Sequence, residues 1–181
     1  GGPVAVPSQD MVLGIYYLTQ ERPDSLGEGH YFKNLNEAIL AYENGYVKLH
    51  SRIHVRVTKK MADGTEKTGT VESTLGRFIF NEILPQDLGF VDRSIPENDL
   101  VLEVDFHVGK KGLKQILEKV INIHGATTTA EVLDDIKAMG YKYSTRAAMT
   151  VSISDMTVPA KKPALIKQAQ DTVDLITKNY K

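Results

Sequence analysis

The stretch VKLHSRIHVRV, residues 47–57, alternates apolar and polar side chains along its length. One face carries Val47, Leu49, Ser51, Ile53, Val55 and Val57, and the other carries Lys48, His50, Arg52, His54 and Arg56. Alternation with a period of two is typical of a β-strand that buries one face and exposes the other. We therefore predict a half-buried strand over residues 47–57 with a solvated cationic face.

The residues that follow predict a hairpin. Asp63-Gly64 is a dipeptide that accepts the positive φ angles of a tight turn. A return strand over residues 65–72 then pairs with the first strand. Together these signals predict a small antiparallel sheet.

Helical signals surround this hairpin on both sides. Ser8 follows Pro7 and predicts the start of a helix at Gln9. Further helices are predicted over residues 35–43, 75–84, 113–124 and 128–139, with ends at Asn44-Gly45, Pro85, Gly125 and Gly140 and with Ser73 or Thr74 capping the second of these. The short link between the last two predicts an antiparallel helical pair.

The last predicted element is a helix that begins at Pro163. Its apolar residues step three and four positions apart, which is the seam of a coiled coil. The seam consists of Ile166, Ala169, Val173, Ile176 and Tyr180. A seam requires a partner helix, so we expect the chain to be part of a longer protein. The fold class predicted overall is α+β, with a small antiparallel sheet or hairpin, several packed helices and a protruding C-terminal helix.

Composition excludes several classes of protein. The chain of 181 residues is 41% hydrophobic and 25% charged, with a net charge of −1 and no cysteine. These values are ordinary for a globular protein, and they exclude disulfides and thiolate metal sites. No apolar run approaches the roughly 20 residues that a membrane span needs, so we expect a cytoplasmic protein without membrane contact.

Charge is unevenly distributed along the chain. Residues 33–69 carry seven Lys or Arg against four acidic residues, whereas residues 78–108 carry one Arg against seven acidic residues. Two explanations remain open at this point. These segments form solvated faces, or they form surfaces that meet different partners.

Motifs for independent chemistry are weak. The five histidines show no metal-binding spacing, so no metal site is predicted, and HVGKKG at 107–112 lacks the spacing of a phosphate loop. One alternative is a stand-alone nucleic-acid-binding module that uses the face of Lys48, Arg52 and Arg56. The other is a small hydrolase that uses His107 or His124.

Five blocks of sequence together resemble one family in the same order. They are VPSQDMVLGIYYLT at 6–19, GEG at 27–29, GYVKLHSRIHVRV at 45–57, STLGRFIFNEILP at 73–85 and YSTRAAMTVSISDMTVPAKKPALI at 143–166. They are similar to the β′ subunits of bacterial DNA-directed RNA polymerase, across nearly the whole chain.

The resemblance implies a division into two parts. Residues 1–158 resemble the pore domain, which lines the secondary channel for nucleoside triphosphates and for the extruded RNA 3′ end. Residues 159–181 resemble the first arm of the coiled coil at the channel rim, where regulatory factors dock. Candidate docking residues are Lys161, Lys162 and Lys167.

The resemblance also implies roles in transcription. Candidates for contact with nucleotide or the RNA 3′ end are Gln9, Asp10, Met11, Arg77 and Arg146. The alternative for each arginine is an ion pair with carboxylates of β or β′. The alternative for Gln9 and Asp10 is hydrogen bonding to the neighbouring backbone alone. The implied partners are the rest of β′, the β, α and ω subunits, template DNA, RNA and nucleotides.

Catalysis is expected to belong to the complete enzyme. The NADFDGD motif, which binds the catalytic Mg²⁺ in this family, does not occur in this sequence. The resemblance therefore implies a nucleotidyltransferase whose Mg²⁺ is bound by residues outside this chain. We expect no cofactor and no catalytic residue in the chain itself, and no activity from it in isolation.

Overall fold

The computed structural model describes the backbone of residues 7–157 and the side chains of residues 7–150. Its elements are α1 (Gln9–Leu18), β1 (Tyr31–Phe32), α2 (Leu35–Glu43), β2 (Arg52–Lys60), β3 (Glu66–Thr74), α3 (Leu75–Asn81), a 3-10 turn (Pro96–Asn98) and α4 (Lys110–Thr157). The chain divides into two compact units. We call residues 18–107 the sheet unit, and the described residues up to 17 and from 108 onward the helical unit.

The sheet has three strands in the order β1-β2-β3. β2 and β3 are antiparallel, with Arg52 opposite Thr74 at one end and Lys60 opposite Glu66 at the other. β1 is only two residues long and lies parallel to β2. The predicted α+β class and hairpin are confirmed. The sheet is mixed rather than purely antiparallel, because β1 carries no alternation long enough to be predicted.

β2 begins at Arg52, so the start at residue 47 predicted for this strand is wrong. Val47 and Leu49 are buried, as the alternation indicated, but the Leu49 carbonyl accepts a hydrogen bond from the Gly76 amide at 2.9 Å. The main chain before Arg52 therefore bonds to the start of α3 and not to a neighbouring strand. His50, predicted on the exposed cationic face, is 8% exposed.

Helix α3 starts where the sequence predicted and ends earlier. The Thr74 hydroxyl accepts the amide of Arg77 at 3.2 Å, which caps the helix. The predicted end at residue 84 is wrong, because α3 ends at Asn81. The Asn81 side chain bonds to the main chain of Val104, so this residue ties the end of the helix to a distant segment.

The helical unit contains α1 and α4. Ser8 caps α1 as predicted, since its hydroxyl accepts the amide of Met11 at 3.3 Å. Gly125 interrupts α4 with φ 84° and ψ −178°, which matches the predicted end of helix 113–124. The antiparallel arrangement of the two helices stays a prediction.

Gly140 was predicted to end the last of these helices, and that prediction is wrong. The helix continues through Gly140 to Thr157. A Cβ atom at Gly140 would lie 2.7 Å from the Cα and carbonyl oxygen of Met11. The glycine is therefore explained by the close approach of α1 and not by a helix end.

One predicted feature falls wholly beyond the described residues. The coiled-coil arm at 159–181, with its three candidate lysines, lies outside them. Within the described residues, no helix is both long enough and apolar enough to cross a membrane.

Candidate functional site

The start of α1 exposes two of the predicted site residues. Gln9 and Asp10 are exposed in the first turn, after the capping Ser8. The free amides of a helix start carry a partial positive charge. Asp10 suits this position because a carboxylate in the first turn stabilises the helix by about 0.3–1 kcal/mol. The Gln9 amide offers a donor and an acceptor beside it.

Met11 lies next to these polar residues and has a different role in the fold. It is 2% exposed, and the backbone of Gly140 passes close to its own backbone. Gly14 makes a second close approach, because an added Cβ there would collide with the carbonyl oxygen of Gly140. Two glycines thus let α1 lie backbone to backbone against α4. Met11 anchors the helix start, and its predicted contact with nucleotide stays a prediction.

Arg77, predicted as a channel or phosphate contact, is buried within the sheet unit. Its Nε donates to the Thr19 carbonyl at 2.9 Å, and Nη1 lies 3.0 Å from Glu21 Oε1 and 3.3 Å from Asp105 Oδ1. The residue is 6% exposed. These contacts are ion pairs within the chain, of the kind left open as an alternative for this residue. Contact with phosphate stays a prediction.

Asp105 joins Arg77 to the sheet. Its Oδ1 accepts the Ser73 hydroxyl at 2.6 Å, and its Oδ2 lies 3.0 Å from Arg52 Nη2. Arg52 also contacts Glu21 at 3.0 Å and Glu72 at 3.3 Å. We call Arg52, Arg77, Glu21, Glu72, Asp105 and Ser73 the arginine network. Within the sheet unit, it holds together the loop after α1, the β-hairpin, α3 and the segment before α4.

The network changes the proton affinity of Arg52. Partial burial alone would lower the pKa of Arg52, but the hydrogen bond and charge of Asp105, with the charges of Glu21 and Glu72, outweigh it and raise that pKa. The guanidinium therefore stays charged at any pH that the fold tolerates. Arg52 is thus a permanently charged member of the network.

The comparisons with known proteins agree with the resemblance. The family model described as RNA polymerase Rpb1, domain 3, matches residues 1–156. The chain belongs to this family. It is 68% identical over all 181 residues to the DNA-directed RNA polymerase subunit beta' of Lachnoclostridium phytofermentans, 55% to that of Acetivibrio thermocellus and 51% to that of Clostridium acetobutylicum. It spans between 14% and 16% of the length of these relatives.

These findings confirm the resemblance to part of a β′ subunit and do not favour the stand-alone nucleic-acid-binding module. Two features of the sheet unit agree with that. Arg52 is committed to three carboxylates, and Tyr31 stacks on His54 at 4.1 Å between ring centroids. The polar face of this family member is therefore not the continuous cationic surface that the alternation predicted.

Sequence reasoning missed a second buried ion pair. Glu103 is 1% exposed, lies 3.1 Å from Arg93 Nη2 and accepts the main-chain amides of Phe90 and Val91. Arg93 also donates to the carbonyls of Asn98 and Val101. Glu103 and Arg93 belong to the acidic segment 78–108, so part of that segment is neither a solvated face nor a partner surface. The only sign of this ion pair in the sequence is the excess of acidic residues in 78–108.

Arg146 is exposed on α4, in the helical unit. Its carbonyl accepts the Thr150 hydroxyl at 2.9 Å, as serine and threonine commonly do inside helices. Its contact with nucleotide or RNA stays a prediction.

The hydrolase alternative has little support in the described part of the chain. No group of three or more His, Asp or Glu side chains there is placed to hold a metal ion. His107 and His124 are both exposed.

Proposed function

We propose that this chain lines the secondary channel of a bacterial DNA-dependent RNA polymerase, as part of its β′ subunit. Residues 1–158 would form the pore domain, through which nucleoside triphosphates enter and the RNA 3′ end leaves during backtracking. Residues 159–181 would form the first arm of the rim coiled coil, with Lys161, Lys162 and Lys167 available to docking factors. Membership of the family and similarity to β′ subunits support this assignment.

The observation that carries the proposal is the start of α1. Gln9 is exposed there while Met11, two residues later, is almost fully buried. A residue so placed presents its amide group from a fixed backbone, because the following turn is anchored against Gly140. Fixed polar groups at a helix start suit the recognition of a phosphate, ribose or base.

The neighbouring Asp10 limits what this helix start binds. Its carboxylate repels a phosphate that approaches directly along the helix axis. We therefore assign the contact with nucleotide or RNA to Gln9, and we assign Asp10 to stabilising the first turn. Neutral groups of the ligand, such as a ribose hydroxyl, are the best partners for an amide beside a carboxylate.

The chemistry of RNA synthesis is assigned to the whole polymerase. Mg²⁺ held by residues outside this chain would neutralise the charge that develops during phosphoryl transfer. The residues of this chain would orient the incoming nucleotide and shape the channel. Their partners would be the rest of β′, the β, α and ω subunits, template DNA and RNA, in the cytoplasm.

A substitution in the complete polymerase tests the role of Gln9. We expect Gln9→Ala to raise the KM for nucleoside triphosphates or to slow rescue of backtracked complexes about tenfold, the effect of one lost hydrogen bond of about 1.4 kcal/mol. The matched control is Gln115→Ala, which removes an exposed glutamine from α4. Equal kinetics for both variants would contradict the assignment of Gln9.

A second experiment tests where catalysis resides. The isolated chain, supplied with Mg²⁺, template and primer, is expected to incorporate no nucleotide, whereas the complete polymerase does. Incorporation by the isolated chain would overturn the assignment of catalysis to residues elsewhere.

A further inference from the structure

Strand β3 is a long and regular edge of the sheet. It comprises nine residues, Glu66–Thr74, and pairs with β2 without interruption. The mean strand in globular proteins is about 5–6 residues long. β3 has β2 as its only strand neighbour in the described part of the chain. Among the described residues, its other edge is therefore unpaired over an unusual length.

The register shows which main-chain groups point away from the sheet. The Met61 amide bonds to the Thr65 carbonyl at 2.7 Å, so the odd-numbered residues of β3 bond to β2. On the far side of β2, the Arg52 carbonyl and the His54 amide bond to the β1 region. The even-numbered residues of β3 consequently direct their amides and carbonyls outward. These residues are Glu66, Thr68, Thr70 and Glu72.

Two of the usual protections of an edge strand, proline and a β-bulge, are missing here. Natural edges carry prolines, bulges or outward lysines that prevent pairing with another chain. β3 has no proline and no bulge, and its one lysine, Lys67, bonds to Asp99 Oδ2 and the Pro96 carbonyl, both at 2.9 Å. No main-chain hydrogen bond from other described residues reaches the outward groups.

We propose that the open edge of β3 is an interaction surface on which another polypeptide of the assembled polymerase adds one β-strand. Outward amides and carbonyls recur about 7 Å apart along an edge, and an extended peptide carries groups with the same repeat. The occupant is therefore an extended segment bound mainly by its main chain. The inference rests on the proposed function in one respect, namely that the added segment comes from the polymerase.

Charge opposes full pairing of β3 with a second copy of itself. An antiparallel copy that pairs all four outward residues places Glu66 opposite Glu72 at both ends of the pairing. Like charges directly opposite each other destabilise a strand pair. Glu72 is already paired with Arg52, whereas Glu66 has no ion pair within the described residues. The fitting segment has a lysine or arginine opposite Glu66 and β-branched residues opposite Thr68 and Thr70.

Hydrogen exchange in the complete polymerase tests this pairing residue by residue. Amides at odd positions 67, 69 and 71 are bonded to β2 and serve as the internal reference. We expect the amides of Thr68, Thr70 and Glu72 to exchange as slowly as this reference, at least about tenfold slower than an exposed amide. Fast exchange at even positions beside slow exchange at odd positions would overturn the inference, and it would leave the proposed function intact.

Two proline variants separate strand addition from simple covering of the surface. Thr68→Pro removes one outward donor of β3. Thr58→Pro removes a donor from the opposite edge of the hairpin, and both variants lose the 2.9 Å contact between the Thr58 and Thr68 hydroxyls. We expect only Thr68→Pro to speed exchange at Thr70 and Glu72, by at least about tenfold.

The outcomes distinguish the two proposals. Equal effects of both proline variants would mean that the hairpin was merely destabilised, and the inference would fail. Failure of the wild-type segment to assemble with other polymerase subunits would overturn the proposed function, and the source of the added strand with it.

Discussion

The arginine network and the start of α1 use charge in opposite ways. In the network, the Arg77 side chain is 7% exposed and contacts Thr19, Glu21 and Asp105 of the same unit. At the start of α1, Gln9 and Asp10 are exposed, and only the backbone beneath them is fixed. Both regions carry polar residues typical of binding sites, but Arg77 is turned inward to its partners, whereas the start of α1 presents its polar side chains outward.

The physical reason is the cost of burying charge. A buried guanidinium without partners is strongly unfavourable, so it is found with carboxylates and carbonyls that compensate it. Once compensated in this way, it has little capacity left for a ligand. An exposed side-chain amide forms hydrogen bonds with water, and a ligand can replace that water.

Arg77→Ala should produce the largest effect and tests the structural half of the comparison. We expect it to lower the free energy of unfolding by about 3 kcal/mol, the low end for a broken buried pair, because Glu21 and Asp105 are partly hydrated. Urea unfolding followed by circular dichroism measures this. Arg56→Ala, an exposed arginine of β2, is the control and should change stability by less than about 0.5 kcal/mol. If both variants lower the free energy of unfolding by the same small amount, Arg77 is not a buried structural residue and the two regions do not differ in this way.

Gly140→Ala should have the next largest effect and tests the anchoring of α1. The added methyl would lie 2.7 Å from the Met11 backbone, and overpacking of this kind costs about 1–3 kcal/mol. Alanine is otherwise favoured over glycine in a helix by about 1 kcal/mol. The sign of the change in unfolding free energy is therefore decisive. A stabilised variant would show that α1 is not held by close approach at this position.

Ser8→Ala should have the smallest effect and tests the local order of the start of α1. Loss of the bond from the Met11 amide to the Ser8 hydroxyl should cost about 1 kcal/mol. Ser144→Ala is the control, since Ser144 bonds to the Tyr141 carbonyl within α4 and is expected to contribute less than about 0.5 kcal/mol. If thermal unfolding separates neither variant from the wild type, the helix start is not fixed by its cap.

Much of the local structure could be predicted from sequence. The caps at Ser8 and Thr74, the turn at Asp63-Gly64 and the break at Gly125 all depend on residues within a few positions of one another. The residues of helix α2, Leu35–Glu43, also match the prediction. Such features follow from backbone preferences that short sequence patterns express directly.

Features of longer range could not be predicted. The bond from Arg77 Nε to the Thr19 carbonyl joins residues 58 positions apart, and no pattern indicates such a pairing. The alternation in 47–57 correctly identified buried residues, but it could not show that residues before Arg52 bond to α3. Gly140 was misread for the same reason, because a glycine suits a helix end and a close contact equally.

Short patterns in the sequence are enough to predict the α+β class, the hairpin, most helix starts and the resemblance to β′ subunits. The contacts of Arg77 with Glu21 and Asp105, the position of Gly140 against Met11 and the pairing of β3 with β2 alone among the described strands follow from tertiary packing. Short sequence patterns indicate contacts between residues that are one or two helical turns apart. The loss of chain entropy on forming such contacts is small. Distant contacts depend on how all elements pack together, and that information is distributed over the whole chain.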